Sequence, residues 1–130
     1  MKVAITITAR MKSERLPLKV VRYIKGKPMI EHQIDRLKLV KGADEIIMCT
    51  SVNPQDAILV DIAEKNNIKW FRGSEEDVLD RIYGAAKKNG VDFVVSITAD
   101  NPLVDPVYMD RIITKFKETG ADYITCKKLP

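Results

Sequence analysis

The sequence predicts an α/β fold: a Rossmann-like, mostly parallel sheet with helices on both faces, in one domain over residues 1–130. Three observations predict it. Apolar, β-branched runs of strand length alternate with amphipathic runs of helical length along the whole chain, the pattern of successive βαβ units. Each helical run carries its own start and stop residues. The length suits a single domain, and no apolar run approaches the roughly 20 residues of a membrane helix.

The first strand is predicted over residues 3–8, with Val3, Ile5 and Ile7 as its apolar set. A basic loop follows, and residues 20–24 read as a short extended piece. The first helix is predicted over 28–40. Pro28 fits its first turn, Ile30, Ile34 and Leu37 form its stripe, and Gly42 lies just past its end. The second strand covers 45–50. Asn53-Pro54 reads as an N-cap with proline at the first helical position. Leu59, Ile62 and Ala63 face inward on that second helix, and Asn66-Asn67 end it. A short third strand covers 68–71. Gly73-Ser74 opens the third helix, with Ser74 and Asp77 spaced as a capping box. Val78, Ile82 and Ala85 are its predicted inward face, and Gly90 stops it. The fourth strand is 93–98. Asp105-Pro106 caps a fourth helix with Met109, Ile112, Ile113 and Phe116 as its stripe and Gly120 as its stop; a fifth strand covers 122–126.

Hydrophobic content of 45% and charged content of 31% fit a soluble globular protein. The N-terminus is a strand pattern without a basic-then-apolar leader, so the cytoplasm is the expected compartment and no membrane is expected. Cys49 and Cys126 each lie in a strand-like run and form no ligand spacing, which predicts buried, reduced thiols. Net charge is +4, from 22 basic and 18 acidic residues; this mild excess suits an anionic small molecule and decides nothing alone. Aromatic content of 6%, with no stacking cluster beside the basic loop, argues against nucleic acid as a partner.

The chemistry concentrates in ITITARMKSERLPLK, residues 5–19. Arg10, Lys12, Arg15 and Lys19 follow a buried strand with only Glu14 as a local acid. Charge beside a core is costly unless paired, and a bound polyphosphate would pair it. In parallel sheets ligands bind outside the carboxyl ends of the strands. The loops after the first, third and fourth strands, residues 9–18, 72–77 and 99–105, meet that requirement. The chain has no G-x-x-x-x-G-K-[ST], no G-x-G-x-x-G and no G-x-S-x-G. Its single histidine, His32, falls in the first helix and reads as structural or surface.

Three stretches carry a family resemblance: A-R-M-K-S-E-R-L-P-L-K with G-K-P-M-I-E-H, R-G-S-E-E-D-V-L-D-R, and I-T-A-D-N-P-L-V-D-P. In order and spacing they resemble the sugar cytidylyltransferases, in particular the spore-coat polysaccharide group, akin to the acylneuraminate and 3-deoxy-manno-octulosonate enzymes. The resemblance implies a nucleotide-diphospho-sugar transferase type of fold and transfer of CMP from CTP to a sugar or sugar acid with release of pyrophosphate, in polysaccharide or cell-surface glycan synthesis. It implies Arg10, Arg15 and Lys19 as the catalytic cations on the triphosphate, with Ser13 beside them and Lys12 in solvent. It further implies Ala9, Gly73 and Ser74 at the base and ribose and Asp100 as the ligand of Mg²⁺; Asp105, followed by proline, reads as a helix cap rather than a ligand. Asp77 and Arg81 match the family pattern but, four residues apart, fit a simple ion pair. The family's glycine is replaced by Leu18, and relatives run to about twice this length, so the domain reads as truncated relative to theirs. Their further half is implied to hold a second acidic metal ligand, much of the sugar pocket and dimer contacts; a homodimer stays open. The rival classes are a nucleotide-binding module without turnover, a related glycosyltransferase and an interaction domain whose basic loop binds an acidic partner.

Overall fold

The structure, a computed structural model, describes residues 1–11, 22–99 and 105–120. Its centre is a four-stranded parallel sheet in the order β5-β4-β1-β6, formed by β1 (Val3–Thr8), β4 (Glu45–Ser51), β5 (Lys69–Gly73) and β6 (Phe93–Thr98). Strands β2 (Tyr23–Ile24) and β3 (Lys27–Pro28) make a separate antiparallel hairpin. Its two turn residues, Lys25 and Gly26, both have positive φ, at 50° and 90°, which matches the twist of a tight hairpin. Among the described residues there are four α-helices: α1 (Met29–Leu37), α2 (Ala57–Lys65), α3 (Val78–Lys88) and α4 (Pro106–Thr119).

Strand β1 is central because it is apolar on both faces. Val3, Ile5 and Ile7 pack with α1, α2 and α4 through Ile30, Ile34, Leu37, Leu59, Ala63, Met109 and Ile113. Ala4 packs on the opposite face with Ile47, Cys49 and Ala85 of α3, backed by Phe71. Helices therefore cover both faces, as predicted. The strands step from β1 to β4 to β5, and the chain then crosses back to lay β6 against the other side of β1. That reversal creates a topological switch point at the carboxyl end of β1. Phe116 of α4 stacks on Phe93 at the start of β6, with ring centroids 3.8 Å apart.

Several boundaries differ from the prediction for local reasons. Pro28 is the extended N-cap of α1 rather than part of its first turn, with ψ 143°. The helix ends at Leu37, where Leu39 and Val40 bond the Arg36 and Leu37 carbonyls in tightened three-residue turns. Asn53 caps Gln55, as expected, but Pro54–Asp56 forms a 3₁₀ turn before α2 begins. Strand β5 runs on to Gly73, because Thr50 and Ser51 of β4 continue to pair with Arg72 and Gly73. Helix α3 accordingly starts later, capped by Asp77 Oδ1 on the Asp80 amide at 3.0 Å. Ser74 Oγ still accepts from the Asp77 amide at 3.0 Å, one turn before the helix. The inward face of α3 also differs: Val78 is exposed, Ile82 is half-buried, and Arg81 is buried beside Ala85. A polar residue on the buried face is what periodicity of apolar residues misses. Asp105 caps α4 by accepting from Val107 and Tyr108, and Gly120 ends it at φ 64°. His32 has a structural role, its Nε2 donating to the Ile24 carbonyl of the hairpin. The predicted strand at 122–126 and Cys126 lie outside the described residues. Among the described residues no helix is long and apolar enough to cross a membrane.

Two predictions follow from the packing of α3. A Cβ on Gly84 would stand 2.6 Å from Phe71 Cζ. Gly84→Ala gains helix propensity of about 1 kcal/mol but overpacks the contact at about 1–3 kcal/mol. A lowered denaturation midpoint is expected, and an equal or higher midpoint would show that the ring yields freely. Cys49 is buried beneath α3, and burial pushes its thiol up to about 12 against a weaker opposing pull from Arg81. Thiol reagents at neutral pH should leave Cys49 unlabelled until the chain unfolds; labelling that runs ahead of unfolding would contradict this.

Candidate functional site

The carboxyl edge of the sheet gathers the starts of four loops. Ala9 continues β1 by donating its amide to the Cys49 carbonyl of β4 at 3.1 Å. Ala99 continues β6 by donating to the Thr8 carbonyl of β1 at 3.2 Å. The basic loop and the loop leading to residue 100 therefore leave the sheet side by side. Buried Gln33 of α1 braces the second of these, its Nε2 donating to the Thr98 carbonyl at 2.8 Å.

Arg10 reaches across from the first loop and donates from Nη1 to the Glu75 carbonyl at 2.9 Å. This joins the loop after β1 to the loop after β5, the two loops predicted to handle triphosphate and base. One of the five guanidinium N–H groups is spent on that bond. Gly73 and Ser74 lie at the end of β5 as predicted. A Cβ at Gly73 would meet Phe71 Cε1 at 2.9 Å and Arg81 Cγ at 3.3 Å, so this residue is small to admit Arg81.

Arg81 does not pair with Asp77. Its guanidinium turns into the protein and donates to three carbonyls: Ser74 at 3.0 Å, Cys49 at 3.3 Å and Glu75 at 3.4 Å. It is 1% exposed. Burial lowers its pKa first, and repulsion from Arg10 adds to this, while Cys49 and Asp56 oppose it. Arg72, half-buried at the end of β5, clamps the loop after β4 in the same way. Its Nε donates to the Ser51 carbonyl at 2.8 Å and its Nη2 to the Asn53 carbonyl at 2.7 Å. Asn53 Nδ2 in turn donates to the Glu75 carboxylate at 3.2 and 3.3 Å.

Asp56 is the other device that the sequence did not reveal. Its carboxylate is buried, accepts the Met11 amide on Oδ1 at 2.7 Å and accepts the Ser51 hydroxyl on Oδ2. It thereby fixes the direction in which the basic loop leaves β1. The only signal was its place in the first turn after Asn53-Pro54, where an acid reads as a partner of the helix dipole.

Of the predicted site residues, the structure brings Ala9, Arg10, Gly73 and Ser74 to one edge. Lys12, Ser13, Arg15, Leu18, Lys19 and Asp100 lie outside the described residues. Among the described residues no group of three or more His, Cys, Asp or Glu side chains is placed to hold a metal ion.

Removing the Asp56 carboxylate should be felt at a distance. Asp56→Ala leaves the Met11 amide and the Ser51 hydroxyl without their acceptor, a cost of about 2–4 kcal/mol. Asp56→Asn, which keeps one acceptor oxygen, should lose less than half as much in thermal or denaturant unfolding. Equal losses would show that the charge, and not the acceptor geometry, is what matters.

Comparison with known proteins adds to this geometry. A family model described as cytidylyltransferase matches residues 4–130. The chain is 35% identical over 121 residues to the spore coat polysaccharide biosynthesis protein SpsF of Bacillus subtilis, covering 90% of this chain and 50% of that one. It is similar to the solved structure of a cytidylyltransferase from Leptospira borgpetersenii, with a TM-score of 0.88 and 34% identity over 92% of this chain and 50% of that one. It is also similar to a CMP:2-keto-3-deoxy-manno-octonic acid synthetase complexed with CTP, with a TM-score of 0.79 and 27% identity over 93% of this chain and 49% of that one. The chain spans about half the length of the curated relatives it matches.

Proposed function

The chain belongs to the cytidylyltransferase family, and from that premise we propose that it binds CTP at the carboxyl edge of its sheet and transfers CMP to a sugar or sugar acid. The acceptor hydroxyl oxygen bonds to the α phosphorus as the bond from that phosphorus to the bridging oxygen breaks. Pyrophosphate leaves with the electron pair, and the hydroxyl proton passes to water. The observation that carries the reading is the bond from Arg10 to the Glu75 carbonyl, which ties a cationic loop to the loop after β5 over the carboxyl end of β4. The first suits a polyphosphate and the second a planar base. Similarity to a synthetase complexed with CTP supports the same nucleotide.

In this reading Ala9, Gly73 and Ser74 line the base and ribose. Arg10, Ser13, Arg15 and Lys19 hold the β and γ phosphates and stabilise the charge that grows on pyrophosphate. Catalysis rests on positioning and electrostatics, as in other phosphoryl transfers. Asp100 would hold Mg²⁺, which would neutralise charge on the phosphates. Glycan synthesis in the cytoplasm is the setting that fits these substrates.

Charge-assisted bonds to phosphate set the expected magnitudes. Arg15→Ala and Lys19→Ala should each weaken CTP binding by roughly 1.5–3 kcal/mol in calorimetric titration. Asp100→Asn should leave metal-free binding nearly intact and remove the response to Mg²⁺. Unchanged CTP affinity in both cationic variants would sink the phosphate assignment. CTP binding with no pyrophosphate released on addition of a sugar acid would make the chain a nucleotide-binding module instead.

A further inference from the structure

We infer that Arg81 is a positioning residue for nucleobase selection: its buried guanidinium draws the Ser74 and Glu75 carbonyls inward and so turns the loop's amides toward the ligand side. The inference rests on the cytidylyl reading above and goes beyond it, because Arg81 touches no substrate. Three observations carry it.

The first is convergence. Arg81 donates to the Cys49, Ser74 and Glu75 carbonyls. The Cys49 carbonyl also holds the Ala9 amide, and the Glu75 carbonyl also holds Arg10. One side chain therefore fixes both walls of the edge at which a base would lie. The second is peptide geometry. No peptide bond here is cis, and in a trans peptide the N–H points opposite to the C=O. Carbonyls of Ser74 and Glu75 drawn to the core leave the Glu75 and Glu76 amides facing away from it. Neither amide has an acceptor among the described residues. The third is burial. A guanidinium 1% exposed and used on three carbonyls cannot serve as a phosphate ligand, yet its desolvation is costly. Core filling alone would be served by an apolar residue.

The chemistry of the pyrimidines gives this arrangement a use. Cytosine offers two adjacent acceptors, O2 and N3, whereas uracil offers an acceptor at O2 but a donor at N3. Backbone donors locked in one direction accept the first pattern and reject the second, since a mismatched group is left unpaired. A lysine at position 81 keeps the charge but cannot fork to three carbonyls.

The test is calorimetric titration of the unaltered chain and of Arg81→Lys with CTP, UTP and inorganic triphosphate. The unaltered chain is expected to prefer CTP over UTP. Arg81→Lys, folded by circular dichroism, is expected to lose about tenfold in CTP affinity while UTP and inorganic triphosphate are held as before. A folded variant that keeps the full preference for CTP overturns the role of Arg81 and leaves the cytidylyl reading standing. An unaltered chain that binds all triphosphates equally removes that reading, and the role of Arg81 with it. If Arg81→Lys does not fold, amide NMR of the unaltered chain decides: CTP should shift the Glu75 and Glu76 signals and inorganic triphosphate should not. Equal shifts from both ligands overturn the proposal.

Discussion

A parallel sheet delivers backbone carbonyls to one edge, and each needs a donor once it is shielded from water. In this chain guanidinium groups supply those donors. Arg81 serves the carbonyls of Cys49, Ser74 and Glu75, Arg72 those of Ser51 and Asn53, and Arg10 shares Glu75. These bonds tie the loops after β1, β4 and β5 to one another. An arginine suits this work because its fork reaches several acceptors at once without losing its charge.

The same arrangement gathers positive charge at the edge. Arg81 and Arg10 both lean on the Glu75 carbonyl, and their mutual repulsion lowers the Arg81 pKa after burial has done so. Asp56 offsets part of this charge but is already engaged by the Met11 amide and the Ser51 hydroxyl. The Glu75 carboxylate is turned to Asn53. Both acids are thus committed to holding loops.

Most of the frame was legible from the sequence, because apolar periodicity reports directly which residues are buried. Ile30, Ile34 and Leu37, Leu59, Ile62 and Ala63, and Met109 with Ile113 are all buried as their spacing predicts. The caps at Asn53 and Asp105 are equally plain, since side chains of that type before a proline have few other uses. What sequence could not reveal is the polar interior. Arg81 sits at a position where periodicity expects an apolar residue or a surface ion pair. Nothing local says that its partners are carbonyls 32, 7 and 6 residues away. The end of β5 was missed for a related reason: its last residues are extended by pairing with β4, not by their own propensity.

Those misses change how the basic residues should be counted. Read along the chain, arginines near a loop suggest so many contacts to a phosphate. In the fold, Arg72 and Arg81 are clamps on backbone, and Arg10 is divided between a carbonyl and whatever anion it meets. A clamp and a ligand place opposite demands on a guanidinium: the clamp wants it buried and saturated, the ligand wants it exposed with donors unspent. Arg81 meets the first demand fully, and Arg10, half-buried with one bond spent on the Glu75 carbonyl, can meet both. That division makes the loop after β5 a part of the site rather than its wall, because the residue that would grip the triphosphate is anchored on the backbone that would read the base.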